Sequence, residues 1–397
     1  MTMLRRVLSE GFRIFFLAAC LFAILAMVAW EIWLAGSLEG FPPGMAPHLW
    51  HAHEMVFGYG GAVLGGFLLT AVPNWTGGKS VPHRFIAVVA ALWLIGRLAM
   101  WCSASLPPWA VAVADLSFLP VLALKIAMQL LVRPKPQQMI FLLTLTLMWL
   151  ANLFCHLEWL GLLRDGVEPG LRAGLLTLSA MIMILGGRVT PGFTRNAMVL
   201  AGREDGHPRN PARLAALAIA PALLLPLALL AGLPDGVVAA LALLAGAAGL
   251  LRVALWRGGW TLGRPILWTL HLSYALNALG LIAFGLSRLD LGSEIAALHI
   301  LGIGGIGGMT LAVFSRATLG HSGRPLQAPL LLALAYALVP LAALSRFAAA
   351  TWPAVYIGAT LLAGALWLIA FALAFAVLLP AWLLPRPPRA PAGRPPS

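Results

Sequence analysis

Stretches of about 20 apolar residues, each long enough to cross the hydrocarbon core of a bilayer as a helix, recur along this chain from end to end. No other feature limits its fold so tightly. Of 397 residues, 61% are apolar and 10% are charged, which is more apolar surface than a water-soluble core can hide. Backbone inside a bilayer must satisfy its own hydrogen bonds, so helix bundles and closed barrels are the available solutions. A barrel needs strict apolar/polar alternation, and that alternation is missing. The expected fold is all-α, a polytopic membrane bundle of twelve helices forming a single domain over residues 1–379.

The spans are expected at 11–34, 49–72, 84–102, 109–131, 138–160, 172–199, 212–232, 236–256, 265–287, 293–315, 327–346 and 352–379, with ends placed to within about 2–4 residues. The sixth contains GGRVTPGFTRN, where Arg188, Pro191, Arg195 and Asn196 should interrupt a simple helix. The start, MTMLRRVLSEGFRIFF, is basic, but its apolar run continues to Leu34. That is too long for a signal-peptide core, so it reads as a retained first span. Residues 380–397 are rich in Pro and Arg and are expected to form a tail without packed structure.

The formal charge of +13 sits mainly in short loops, where cations fix topology. Arg5 and Arg6 precede the first span, and Lys79 and Arg84 flank the loop after the second. Arg133, Lys135, Arg203, Arg209, Arg213, Arg257, Arg264, Arg316, Arg324, Arg386, Arg389 and Arg394 fall on the same side, whereas loops 35–48 and 103–108 carry no cation. Both termini are therefore expected in the cytoplasm and, in a bacterium, the protein in the inner membrane. No basic face alternates with aromatics, so nucleic acid is not an expected partner. Cys20, Cys102 and Cys155 are scattered and form no CxxC pair, which supports neither a disulfide framework nor a structural zinc site.

Ionisable groups at bilayer depth mark function, and neutral imidazole is the commonest side-chain metal ligand. His48, His51, His53 and Glu54 open the second span, and His299 lies about 7 residues, or roughly 10 Å, into the tenth. With that topology they form an outer layer. At roughly 100° per residue, His48 and His51 share a face with Glu54 one turn on, while His53 points roughly 200° away from His51. The pair can therefore serve two sites, or one ligand and one supporting contact. Glu54 is placed to orient a ligating histidine or to relay protons. A plain interfacial position for His48 and His51 remains open, as does a carbonyl-bonded His299.

An inner layer holds His271 and His321, with Arg188. In HLSYALN, His271, Tyr274 and Asn277 share one polar stripe, suited to a ligand with hydrogen-bonding neighbours or to an interhelical contact. Arg316, His321 and Arg188 are candidates for gripping carboxylates such as haem propionates, or are topology residues. Arg97, Asp115 and Lys125 lie inside spans as ion pairs or a proton path. His156, beside Glu158, could join the outer layer, though a surface position is the simpler expectation. Gly58, Gly61 and Gly65, and Gly304, Gly305, Gly307 and Gly308, form strips that allow close helix packing or make room for a porphyrin face.

The segments HLWHAHEMVFG, FLLTAVPNWTG, GGRVTPGFTRNA, WTLHLSYALNALGL and GGIGGMTLAVFSRATLGHSGR resemble the NnrS family of bacterial membrane proteins. The similarity runs from the first span to the tenth. It implies haem, with copper as a second metal, and a link to the nitric oxide response in denitrifiers and pathogens. It assigns no ligands, so His51, His53, His299, His271 and His48 rest on depth and spacing, with Glu54, Tyr274, Arg188, Arg316 and His321 around them. At fold level only, haem–copper oxidases and nitric oxide reductases also use about twelve spans and a His-x-His pair like His51-Ala-His53. The chain lacks their adjacent histidine pair, which speaks against an oxidase reaction centre and leaves enzymatic activity open. The expected function is nitric oxide response, detoxification or metabolism. The alternatives are a transporter, which an interrupted sixth span would suit, and a factor delivering haem or copper to a denitrification reductase.

Overall fold

The computed structural model describes residues 2–36, 43–132 and 134–388. Twelve of its helices are long and apolar enough to cross a membrane. They are α1 (Gly11–Leu34), α2 (Pro47–Thr76), α3 (His83–Trp101), α4 (Pro108–Leu130), α5 (Gln137–Trp159), α6 (Val167–Leu200), α7 (Ala212–Leu230), α8 (Asp235–Ala254), α9 (Pro265–Ser287), α10 (Glu294–His321), α11 (Leu330–Thr351) and α12 (Pro353–Leu383). No strand occurs among the described residues. Pro47, Pro108 and Pro265 open their spans, where a missing N–H costs nothing. Each expected span is present, but α12 runs through Pro380 to Leu383. Arg133, Arg389 and Arg394, used above to orient the chain, lie outside the described residues.

Three spans form the centre. The most apolar stretches of α2, α6 and α10 are 78%, 72% and 72% buried, against 39–61% for the other nine. α6 packs on both α2 and α10, and the lower part of α10 packs on α1 and α2. The remaining spans surround them, with α12 closing on α1. The two chain ends meet there: Arg13 donates Nη1 to the carbonyls of Ala381 (2.8 Å) and Trp382 (3.0 Å), and Arg386 pairs with Glu10 at 3.0 Å. Exposed Leu and Ile residues such as Leu25, Ile95, Leu224 and Ile369 cover the outer faces, where lipid is the solvent.

At the end of the bundle opposite the termini, Arg172 and Arg288 are paired. Arg172 bonds Glu168 (2.8 Å) and Glu294 (2.6 Å), and Arg288 reaches Asp235 at 3.2 Å. The surplus of cations thus stays at the terminal end.

α6 is not interrupted. It is one helix of 34 residues with Pro191 inside it, and the expectation of a break is corrected by a contact from α8. Proline has no N–H, so the carbonyl of Gly187, four residues earlier, loses its helical partner. Arg252 Nη2 (2.9 Å) and Asn210 Nδ2 (3.0 Å) donate to that carbonyl instead. Gly187 leaves the space that the guanidinium occupies, because an added Cβ would collide with it. Gly187→Ala is therefore expected to destabilise the protein by about 1–3 kcal/mol, read as a lower Tm in detergent. An unchanged Tm would show that Arg252 does not sit there.

The departures from regular helix lie elsewhere. α2 widens to a π-helix over Glu54–Tyr59, directly after His53, and α10 does so over Ile300–Gly307, directly after His299. Such wide turns are rare and gather at functional sites. Tyr59, in the first, hydrogen-bonds Thr310 just beyond the second, tying α2 to α10. The glycine strips are filled by neighbours: an added Cβ at Gly58, Gly65, Gly305 or Gly307 would run into Phe22, Phe15, Asn277 or Trp367. Close packing, rather than an open porphyrin face, is what these glycines provide.

Candidate metal centre

The histidines at the start of α2 point two ways, as helical phase requires. His53 turns towards α3, α4 and α5. Its Nδ1 meets Glu54 Oε1 at 2.9 Å and its Nε2 meets Asn152 Oδ1 at 2.8 Å, with Asp115 Oδ2 3.3 Å away. Asn152 gives its Nδ2 to Asp115 Oδ2 at 2.8 Å, so its oxygen faces the imidazole. His156 Nε2 lies 2.8 Å from the same carboxylate oxygen. Arg97 bridges Glu54 and Asp115. All six side chains are buried, and ligand atoms of His53, Asp115 and His156 fall within 4.8 Å of one another. Two carboxylates face one guanidinium, and both ring nitrogens of His53 meet acceptors, so the second positive charge is supplied either by a protonated imidazole or by a bound cation.

Two expectations change here. His156 is not at the surface; it is 2% exposed and belongs to this cluster. Glu54 accompanies His53 rather than His51: its backbone stays in the α region, and its long side chain swings to the neighbouring imidazole and to Arg97. Lys125 stays apart from Arg97 and Asp115, lying over the Phe85 ring at 5.5 Å.

His51 turns towards α1 and α10. Its ring stacks on Trp30, centroids 4.5 Å apart, and it lies within electrostatic reach of His299 and Arg346. His51 Nδ1 is buried without a hydrogen-bond partner, as is Arg346 Nη1. His299 gives Nδ1–H to the Ile295 carbonyl at 2.7 Å. A carbonyl can only accept, so Nε2 of His299 carries the lone pair. A ring held through one N–H and free at the other nitrogen is how metal-ligating histidines are held. His48 is exposed.

At the terminal end, the expected inner layer separates into different contacts. Thr194 gives its hydroxyl to the Thr190 carbonyl (2.9 Å) and receives Nε2 of His271 (2.9 Å). That leaves His271 Nδ1 buried and unpartnered. Tyr274 bonds Arg252 Nη1 at 2.6 Å. Arg316 lies over the Phe193 ring at 3.9 Å, His321 stacks on Phe12 at 5.6 Å, and Arg188 is exposed. These groups do not converge on one site.

Such a molecule belongs to the polytopic helical membrane proteins that seal imidazoles, carboxylates and arginines inside the bundle, where ionisable groups are retained for function. More narrowly, the chain belongs to the NnrS family: the model of that family, described as NnrS protein, matches residues 6–386. Membership places it in the nitric oxide response in general terms. No curated protein matches the chain.

Haem and copper are the groups this family implies, and the donors fit an imidazole-bound metal. His299 Nε2 and His51 Nδ1 are available nitrogens on rings within electrostatic reach of one another, with hydrogen bonding that fixes one of the rings. Sequence reasoning missed Arg346, Asn152 and Arg252. Arg252 had a readable signal, because a proline four residues after Gly187 frees a carbonyl that a buried donor must meet.

Proposed function

We propose that this protein is a bacterial inner-membrane metalloprotein that binds haem, copper or both, and protects against nitric oxide or takes part in its metabolism. Both termini lie in the cytoplasm, a reading supported by the surplus of cations at the terminal end. The observation that carries the proposal is the unpartnered Nδ1 of His51 and the carbonyl-held ring of His299, which carries its lone pair on Nε2, within electrostatic reach of one another on two central spans close to their π turns. His51 and His299 hold the metal in this reading, and His271 is a further candidate at the other end. A bound haem or copper would supply a centre that nitric oxide can ligate. Nitric oxide is small and nearly apolar, so it reaches a buried site through the bilayer without a polar substrate pocket. Trp30 holds the plane of His51 by stacking, and the Ile295 carbonyl fixes the His299 ring.

A second reading places a metal at His53, Asp115 and His156, favoured by the grouping of their ligand atoms. In that reading Glu54 orients His53 by accepting from Nδ1. The test of the proposal is an optical spectrum and metal analysis of the purified protein. A Soret band or bound copper is expected. Absence of both after expression with haem and copper supplied would overturn the metalloprotein reading and leave the transport and delivery alternatives.

A further inference from the structure

A cleft at the terminal end, between α5, α6, α7 and α8, has a volume of about 420 Å³. Its polar wall carries Lys135, Arg188 and Arg252 with the amides of Gln137, Gln138 and Asn210, and no acidic residue lines it. Its other wall is apolar, formed by residues such as Ile140, Ile184, Leu185 and Ile219. The cleft therefore has the two chemistries of an amphiphile.

Arg252 makes the site more than a surface patch. It is 1% exposed, yet it forms no ion pair with any described carboxylate. Its Nε bonds Asn210 Oδ1, its Nη1 bonds the Met183 carbonyl and the Tyr274 hydroxyl, and its Nη2 bonds the Gly187 carbonyl. A guanidinium has five N–H donors, so one on Nη2 is left over. A buried charge held only by neutral oxygens lacks its counter-charge. Gln138 is also buried, with Oε1 unpartnered; its amide can turn to present either end. The cleft lies at bilayer-surface level, since Lys135 directly precedes α5, Asn210 precedes α7 and Arg252 is in the last turn of α8.

We propose that this cleft binds a phosphate group carrying negative charge, supplied by the head of an anionic phospholipid in the leaflet facing the termini. Basic pockets between spans on the cytoplasmic side suit such heads. Arg188 and Lys135 take the phosphate oxygens from the rim, the spare Nη2–H of Arg252 reaches them from below, and the apolar wall receives the glycerol and upper acyl carbons. The site is separate from the histidines of α2 and α10 and does not depend on a bound metal.

The experiment uses the full chain in a neutral detergent, with phosphatidylglycerol, phosphatidylcholine or inorganic phosphate added. Retention is read by native mass spectrometry and protection by Tm. Phosphatidylglycerol should be retained and should raise Tm where phosphatidylcholine does not. The double variant Lys135→Gln, Arg188→Gln should weaken that retention about tenfold or more and still fold, since both side chains are exposed. Protection by inorganic phosphate equal to that of phosphatidylglycerol would keep the phosphate chemistry and assign it to the free anion. Equal retention of both lipids without phosphate protection, or unchanged phosphatidylglycerol retention in the double variant, would overturn the proposal.

Discussion

Asp115→Ala is expected to cost about 3–5 kcal/mol, because it takes the acceptor from several buried donors at once, at about 1–3 kcal/mol for each one left unsatisfied. Asp115 accepts from Arg97, Asn152 and His156 and lies beside His53. Its loss would leave Arg97, 7% exposed, with Glu54 as its one carboxylate partner, strand the donors of Asn152 and His156, and break the link between α3, α4 and α5. Asp115→Asn keeps the size and one oxygen but loses the charge, so it should fall between wild type and alanine. Thermal unfolding in detergent measures the series. A Tm for Asp115→Ala within error of wild type would show that Arg97 finds another acceptor or reaches water.

The second large effect concerns metal. His299→Ala should weaken metal binding by at least about a hundredfold, the upper end of what loss of a mere supporting contact costs. His51→Ala should do the same, and neither should lower Tm of the metal-free protein as Asp115→Ala does. The contrast separates a ligand from a structural residue. His156→Ala discriminates the two metal readings. Metal lost in His156→Ala but kept in His51→Ala and His299→Ala would move the site to the cluster around Asp115. His83→Ala, on an exposed ring at the start of α3, should change nothing.

The architecture was legible because the signal is local. Each span announces itself by an apolar run, and short loops leave little freedom in between. Helical phase also separated His51 from His53, and the structure turns those rings to different neighbours. Helical phase does not decide Glu54, whose flexible side chain is drawn to the adjacent His53 and to Arg97, 43 residues away in sequence. His156 was misjudged for a different reason: it sits near a helix end beside Glu158, which looks like a surface position. What buries it is Asp115, 41 residues earlier, and no local pattern reports such a partner. The nearness of His299 to His51 was expected from depth alone, whereas Arg346 beside both came from tertiary packing.

The proline in α6 has a consequence for how the protein is made. α6 leaves the ribosome before α8, and until α8 follows, the Gly187 carbonyl lacks its own helical donor and Arg252 and has Asn210, from the segment before α7, as its remaining partner. A backbone carbonyl short of one of its two donors is better solvated than buried, so early α6 has reason to remain near water or near the insertion machinery. Completion of α8 then supplies the second donor from another span. Truncation after α7 should therefore leave the Pro191 region open to protease or to a water-soluble thiol probe at an introduced cysteine, and truncation after α9 should close it.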